Sequence, residues 1–283
     1  MSGPASEATG RTAGATATAT AAAAVTAAAQ LAAEGPVRAL RRSAIERRAA
    51  ENLARTWATV PQVTHFEHAD VTELEALRAR LATERPGGRT TILPWIVWCC
   101  ARALAEHPRA NAVLDGEQLL LPGFCNIGVA VRTDLGLVVP VVRRAERLSV
   151  PQLAAELARL IERARARRLA PAEMRGGTFT VSSLGGFGGA AFTPIVHSPQ
   201  VAILGATRVR TEPRWRSGRF EPRAILPLSV TYDHRALDGA DAALFARGVA
   251  DLLERVGQEP QLALEQPAWP AGEAGPTGGG AGA

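Results

Sequence analysis

The chain has 283 residues and a formal charge of +5, and all 32 basic residues are arginine, because lysine is absent. Without lysine these residues support no Schiff base, no phosphate-binding Walker lysine and no covalently held biotin or lipoate, so any cofactor arm must be brought by another molecule. Cys99, Cys100 and Cys125 fit no metal-ligand spacing and read as reduced, buried thiols of a cytoplasmic protein.

Residues 1–36 are Ala, Thr, Gly and Ser with one short charged interruption, a composition expected of a disordered tail or linker. They lack the basic and apolar segments of a secretion signal. A helix is expected from about 38 to 57, where Ile45, Ala49, Leu53 and Trp57 recur at i+4. VTHFEHADV then alternates like a strand, which puts His65 and His68 on opposite faces and argues against a metal site. Thr72 and Glu75 have the spacing of a capping box ahead of a helix bearing Leu74, Leu77 and Leu81. The longest apolar run, ILPWIVWCCA, is too short to span a bilayer and reads as a buried helix.

Strand-like runs follow at Asn111–Leu114, Gln118–Leu121, Ile127–Val131 and Leu135–Val142. Ser149, with Pro151 and Gln152, signals the start of a long helix to about 168, whose ERARARR stretch reads as a solvated face or, less simply, a surface for an acidic partner. Strands are expected again at Thr178–Ser182, Val201–Val209 and Ile225–Tyr232. A final helix carries Leu244, Phe245, Val249, Leu252 and Val256. Residues 265–283, rich in Pro, Gly and Ala, read as a second disordered tail, which leaves 37–264 as one domain. Strands and helices mix without regular alternation, so the fold class is α/β in the broad sense: an α+β mixed sheet with flanking helices.

Two segments carry chemistry. In ILPLSVTYDHRALDGADAALF a strand ends at His234, and Asp238-Gly239 starts the last helix. An imidazole at a strand end can act as general base toward a thiol or hydroxyl, but a histidine with both nitrogens satisfied fits the same position. Asp238 before glycine is equally an ordinary helix N-cap. In GGTFTVSSLGGFGGAAFTPIV, Phe179 and Val181 alternate with Thr178, Thr180 and Ser182, so Ser182 lies on the polar side of its strand. A hydroxyl there, followed by glycines that admit close approach of a ligand, suits an oxyanion site; GGFGG alone also reads as a tight turn.

The string DHRALDG, together with RRSAIERRAAENLARTW, VPQVTHFEHADVTELEALR, CNIGVAVRTDLGLVVPVV, GGTFTVSSLGG and AFTPIVHSPQVAILG in that order, resembles the acyltransferase core components of 2-oxo acid dehydrogenase complexes. The strings around FTPIV and VAILG are most similar to dihydrolipoamide acetyltransferases of the pyruvate type. The resemblance runs from about Val37 to Leu264. It implies a chloramphenicol acetyltransferase-like fold, homotrimers with active sites between neighbouring subunits, and acyl transfer between dihydrolipoamide and coenzyme A. His234 would be the general base, Ser182 the oxyanion donor and Asp238 the residue that orders the catalytic loop. Coenzyme A enters as substrate, the lipoyl group comes from another chain in trans, and no metal, nucleic acid or membrane is expected. The family's lipoyl and subunit-binding domains have no room within these residues. Its larger cages assemble through a short apolar C-terminal segment, a part that Pro260, Leu262 and Leu264 could play. His197 receives no role. The other readings are a free-standing coenzyme A acyltransferase on a small acceptor and a structural core subunit, against which the joint presence of His234, Ser182 and Asp238 argues.

Overall fold

In a computed structural model, residues 29–84 and 91–264 are described; the expected tails at 1–28 and 265–283 lie outside them. The described chain divides after Arg42. Residues 29–34, inside the stretch expected to be a tail, are helical and exposed, in keeping with the helix propensity of their Ala, Gln and Leu residues.

The body begins with α1 (Ala44–Thr59), whose cap is reciprocal: Ser43 Oγ accepts the Glu46 N–H and Glu46 accepts the Ser43 N–H. The helix therefore starts six residues later than its apolar spacing predicts. Its i+4 stripe stays largely in solvent, with Trp57 70% exposed. The remaining helices are α2 (Thr72–Glu84), α3 (Leu93–Glu106), α4 (Val150–Arg165), α5 (Gly239–Gln258) and the single turn α6 (Gln261–Leu264). The strands are β1 (Gln62–Asp70), β2 (Val113–Asp115), β3 (Gln118–Leu120), β4 (Ile127–Val129), β5 (Val131–Thr133), β6 (Gly136–Val138), β7 (Val141–Val142), β8 (Phe179–Ser183), β9 (Ala202–Ala206), β10 (Arg210–Arg216) and β11 (Arg219–Asp233).

The main sheet runs β1-β11-β9-β8-β4-β7, with β10 added on β11. β8 is parallel to both β4 and β9, while β11 is antiparallel to β9, β1 and β10. The sheet is mixed, as expected. α5 packs across β1 and β11 and against α2 and α3, and α4 packs on α3. The apolar run read as a buried helix is α3, with Trp95, Ile96, Val97 and both cysteines fully buried. Phe179 of β8 meets Phe245 of α5 edge to face at 5.4 Å, a contact worth about 0.5–1.5 kcal/mol beyond its buried area. It ties the strand of Ser182 to the helix that follows His234.

Several local expectations shift. Thr72 is engaged by Asp70 and by the Ala224 N–H in place of a capping box, and Glu75 pairs with Arg78. The runs expected as single strands from Ile127 and from Leu135 each break in two, since Ala130 and Val139-Pro140 mark where a small hairpin, β5–β6, leaves the sheet. The β10 strand was not legible at all. Its RTEPRWR is charged and contains Pro213, yet Ser217-Gly218, both at positive φ, make a two-residue hairpin turn that folds it onto an extended β11. At its tip Trp215 and Phe220 pair edge to face at 5.0 Å and remain exposed. Leu262 and Leu264, considered for a cage contact, pack partly against the chain's own core.

Candidate active site

Ser182 lies near the C-terminal end of β8, opposite Gly205 of β9. The polar side of β8 is less open than alternation suggests. Thr178 donates to Asn111 at 2.7 Å and Thr180 to Gln200 at 2.7 Å, so both threonines are buried and satisfied. Ser182, two residues on, is only half-buried. Gly205 is required where it stands: a Cβ would lie 2.8 Å from the Phe192 ring and closer still to the Ser229 hydroxyl. Past Ser183 the chain turns through Leu184, whose carbonyl accepts from Phe187 and Gly188, and Gly188 and Gly189 take positive φ. This glycine turn forms one wall of a cleft of about 1670 Å³, whose lining includes Arg132, Arg165 and Arg208. Arg132 lies over the Phe187 ring at 5.8 Å.

His234 lies at the other end of the sheet. β11 closes with the Asp233 N–H on the Val201 carbonyl, just before β9 begins, and His234 follows, its own N–H on the Pro61 carbonyl at 3.0 Å. The side chain is exposed, its ring 5.6 Å from that of Tyr232. Buried Asp233 accepts from the Arg235 N–H and, through both oxygens, from the Arg235 guanidinium, the shortest contact being 2.6 Å. The Asp233 carbonyl takes the Ala236 and Leu237 N–H groups. Asp238 caps α5, accepting the Asp241 N–H at 2.8 Å. Its carboxylate also lies near the Tyr232 phenol, which burial first and that charge second hold above its ordinary range.

Within one chain, then, Ser182 and His234 do not meet. Ser182 is level with Gly205 and His234 lies beyond Val201, so the length of β9, about 13 Å at 3.3 Å per residue, separates them. Asp238 does accompany His234, four residues on. The buried thiols offer no substitute nucleophile: burial pushes Cys99, Cys100 and Cys125 well above the normal thiol range. Among the described residues no group of three His, Cys, Asp or Glu side chains could hold a metal ion. No described helix is long and apolar enough to cross a membrane.

Sequence reasoning missed Arg109. It sits on a short 3-10 turn, Pro108–Asn111, and donates to the Ala236 carbonyl at 2.7 Å. Only the tertiary fold brings that turn beside the histidine loop; a lone arginine in HPRAN gives no local signal.

Residues 34–263 match the family model for the catalytic domain of 2-oxoacid dehydrogenase acyltransferases. The chain belongs to this family. The dihydrolipoyllysine-residue acetyltransferase component of the pyruvate dehydrogenase complex of Azotobacter vinelandii is 48% identical over 208 residues, covering 72% of this chain and 33% of that protein. The lipoamide acyltransferase component of the branched-chain alpha-keto acid dehydrogenase complex of Pseudomonas aeruginosa is 39% identical, covering 74% of this chain and 50% of that protein. The chain thus spans half or less of these two relatives. A solved structure of the Azotobacter vinelandii dihydrolipoamide acetyltransferase, from work on a serine, a histidine and an asparagine in its catalytic mechanism, superposes with a TM-score of 0.77 at 43% identity, covering 80% of this chain and 95% of that one. The serine–histidine and histidine–asparagine spacings there equal those of Ser182, His234 and Asp238 here, with aspartate in place of the asparagine. A structure of the cubic core of the pyruvate dehydrogenase multienzyme complex matches equally well.

Proposed function

We propose that the chain transfers an acyl group, acetyl in the first instance, between coenzyme A and a dihydrolipoyl thiol carried by another molecule. The observation that carries this reading is the separated pair: an exposed histidine on a braced loop and a serine at the far end of the same sheet. Such a site is completed when a neighbouring copy brings its Ser182 to His234. The exposed apolar stripe of α1 and the exposed Trp215–Phe220 pair supply surface for that contact, and the solved relatives include a cubic core. A trimer is the smallest closed ring that repeats such a head-to-tail contact with the family's symmetry.

The chemistry follows from the groups. A thiol with a pKa near 8.5 is mostly protonated at neutral pH, so a base must generate the thiolate. His234 takes the thiol proton, the thiolate attacks the thioester carbonyl, and the carbonyl electrons move onto oxygen. The Ser182 hydroxyl donates to that oxyanion; removing such a donor costs about 10²–10³ in rate. Collapse expels the second thiolate, which takes the proton back from the His234 imidazolium. No covalent acyl-enzyme is needed. Asp238 acts by capping α5, so the helix and the histidine loop share one anchor. The lipoyl arm comes from outside these residues, because they contain no lysine. The reading places the protein in the cytoplasm, where buried thiols stay reduced.

The test is acetyl transfer from acetyl-coenzyme A to free dihydrolipoamide, comparing the natural chain with His234→Ala. A loss of about 10²–10⁴ in kcat supports the general base. No transfer by the natural, assembled chain moves the reading to another acceptor or to a structural subunit.

A further inference from the structure

We infer that Arg109 is a positioning residue for His234: its guanidinium clamps the histidine loop from outside and sets where the imidazole stands. This rests on the acyltransferase reading above. The loop from Asp233 to Asp238 leaves the sheet at β11 and must deliver an exposed histidine to a partner's serine, so neither burial nor a strand partner holds the imidazole. Buried Ala236 and Leu237 anchor the loop's far half and the Pro61 carbonyl takes the His234 N–H, while side-chain contacts brace it from three directions. On the strand side, buried Asp233 grips Arg235. On the helix side, Asp238 caps α5. Across the middle, Arg109 Nη2 donates to the Ala236 carbonyl at 2.7 Å and its Nε lies 3.5 Å from Asp241, the residue that completes the α5 cap.

Arg109 thus touches both the residue two after His234 and the residue three after Asp238. It is the side-chain contact among these that reaches the loop from a distant part of the chain, beside the backbone bond from the His234 N–H to the Pro61 carbonyl. Its own base is rigid. The 3-10 turn Pro108–Asn111 is fixed two residues on by Asn111, which is buried, donates to the Phe124 carbonyl at 2.8 Å and accepts from Thr178 at 2.7 Å. Thr178 directly precedes β8, the strand that carries Ser182. The same short turn therefore braces the histidine loop through Arg109 and the root of the serine strand through Asn111. It gives each copy a fixed relation between the half-site it donates and the half-site it receives.

Arg109 is more than half exposed and its charged end meets only a backbone carbonyl and the part-exposed Asp241 carboxylate, so its loss leaves the fold intact while freeing the loop. The experiment compares Arg109→Met, which keeps length and loses donors, with Arg109→Lys in the natural assembly. Two readouts are taken: steady-state acetyl transfer, and amide hydrogen exchange at Ala236 and Leu237. The expected result for Arg109→Met is a kcat lower by about tenfold to a hundredfold, the scale of a small misplacement of a catalytic group. KM for both substrates stays within about twofold, the two amides exchange faster, and lysine recovers most of the rate. An unchanged kcat with unchanged exchange overturns the inference. So does a kcat that falls only together with the melting temperature and is not rescued by lysine. An inactive natural chain sinks the acyltransferase reading instead, and exchange at Ala236 and Leu237 then decides by itself whether Arg109 holds the loop.

Discussion

The serine end and the histidine end of the sheet are built by different physics. Ser182 stands on a strand paired in parallel on both sides, with Phe179 and Val181 buried beneath it, so backbone ladders and apolar burial place it. His234 is itself exposed on a loop between β11 and α5 whose Ala236 and Leu237 are buried, and ion pairs and side-chain bonds to backbone brace it: Arg235 on Asp233, Arg109 on Ala236, Asp238 on Asp241. Ladders inside a sheet respond little to salt or to a single side-chain change, whereas charge-assisted bonds at a surface respond to both. Ser182 is thus fixed, and His234 is held where small changes can move it.

The strongest way to break this comparison is to separate its two halves genetically. Ser182→Ala and His234→Ala each lose about 10² or more in kcat. Mixed before assembly, they should regain activity toward about a quarter of the natural value, because random pairing leaves that share of interfaces with both groups intact. Mixtures as inactive as the parents would mean that both groups act within one chain. On the serine side, Gly205→Ala forces a methyl group against Phe192 and Ser229 and should destabilise by about 1–3 kcal/mol in urea unfolding. The β8–β9 register would bear that strain.

On the histidine side, Arg235→Met strips the guanidinium from the buried Asp233 carboxylate and leaves it only the backbone N–H of position 235. We expect a loss of about 1–2 kcal/mol, below that of a fully buried pair because Arg235 is half exposed, and added salt should narrow the gap to the natural chain. The smallest effect lies away from both ends. Glu173 accepts from the Ala170 N–H, Arg163 and Arg159, which hold its carboxyl near 2 against an ordinary value of 4.5. Its folded value is depressed, so its contribution is present above about 4.5 and disappears as pH falls toward 2. Thermal melts of Glu173→Gln should fall slightly below the natural chain at neutral pH and converge with it in acid.

Much of this architecture is legible because it is local. The α3 run is apolar on every side, Ser149 and Gln152 announce α4, and the alternation of β8 and the stop at Asp238-Gly239 fix where two strands end. Expectations fail where distant residues override local preference. Pro213 and the charges of β10 argue against a strand, but the Ser217-Gly218 turn and the waiting edge of β11 supply one. The apolar stripe of α1 promises burial within the chain and stays largely in solvent, because the helix packs on the small β5–β6 hairpin and not on the main sheet.

Residue types alone determined that a histidine follows the last strand and a hydroxyl ends another, and their spacing carried the family resemblance. Tertiary structure decided their relation. β9 runs parallel to the serine strand and antiparallel to the histidine strand, so the two ends face apart by its length. Pairing direction is set by contacts between segments remote in sequence, and no local window contains them. For the same reason Arg109 acquires its place beside the histidine loop only when the chain closes on itself.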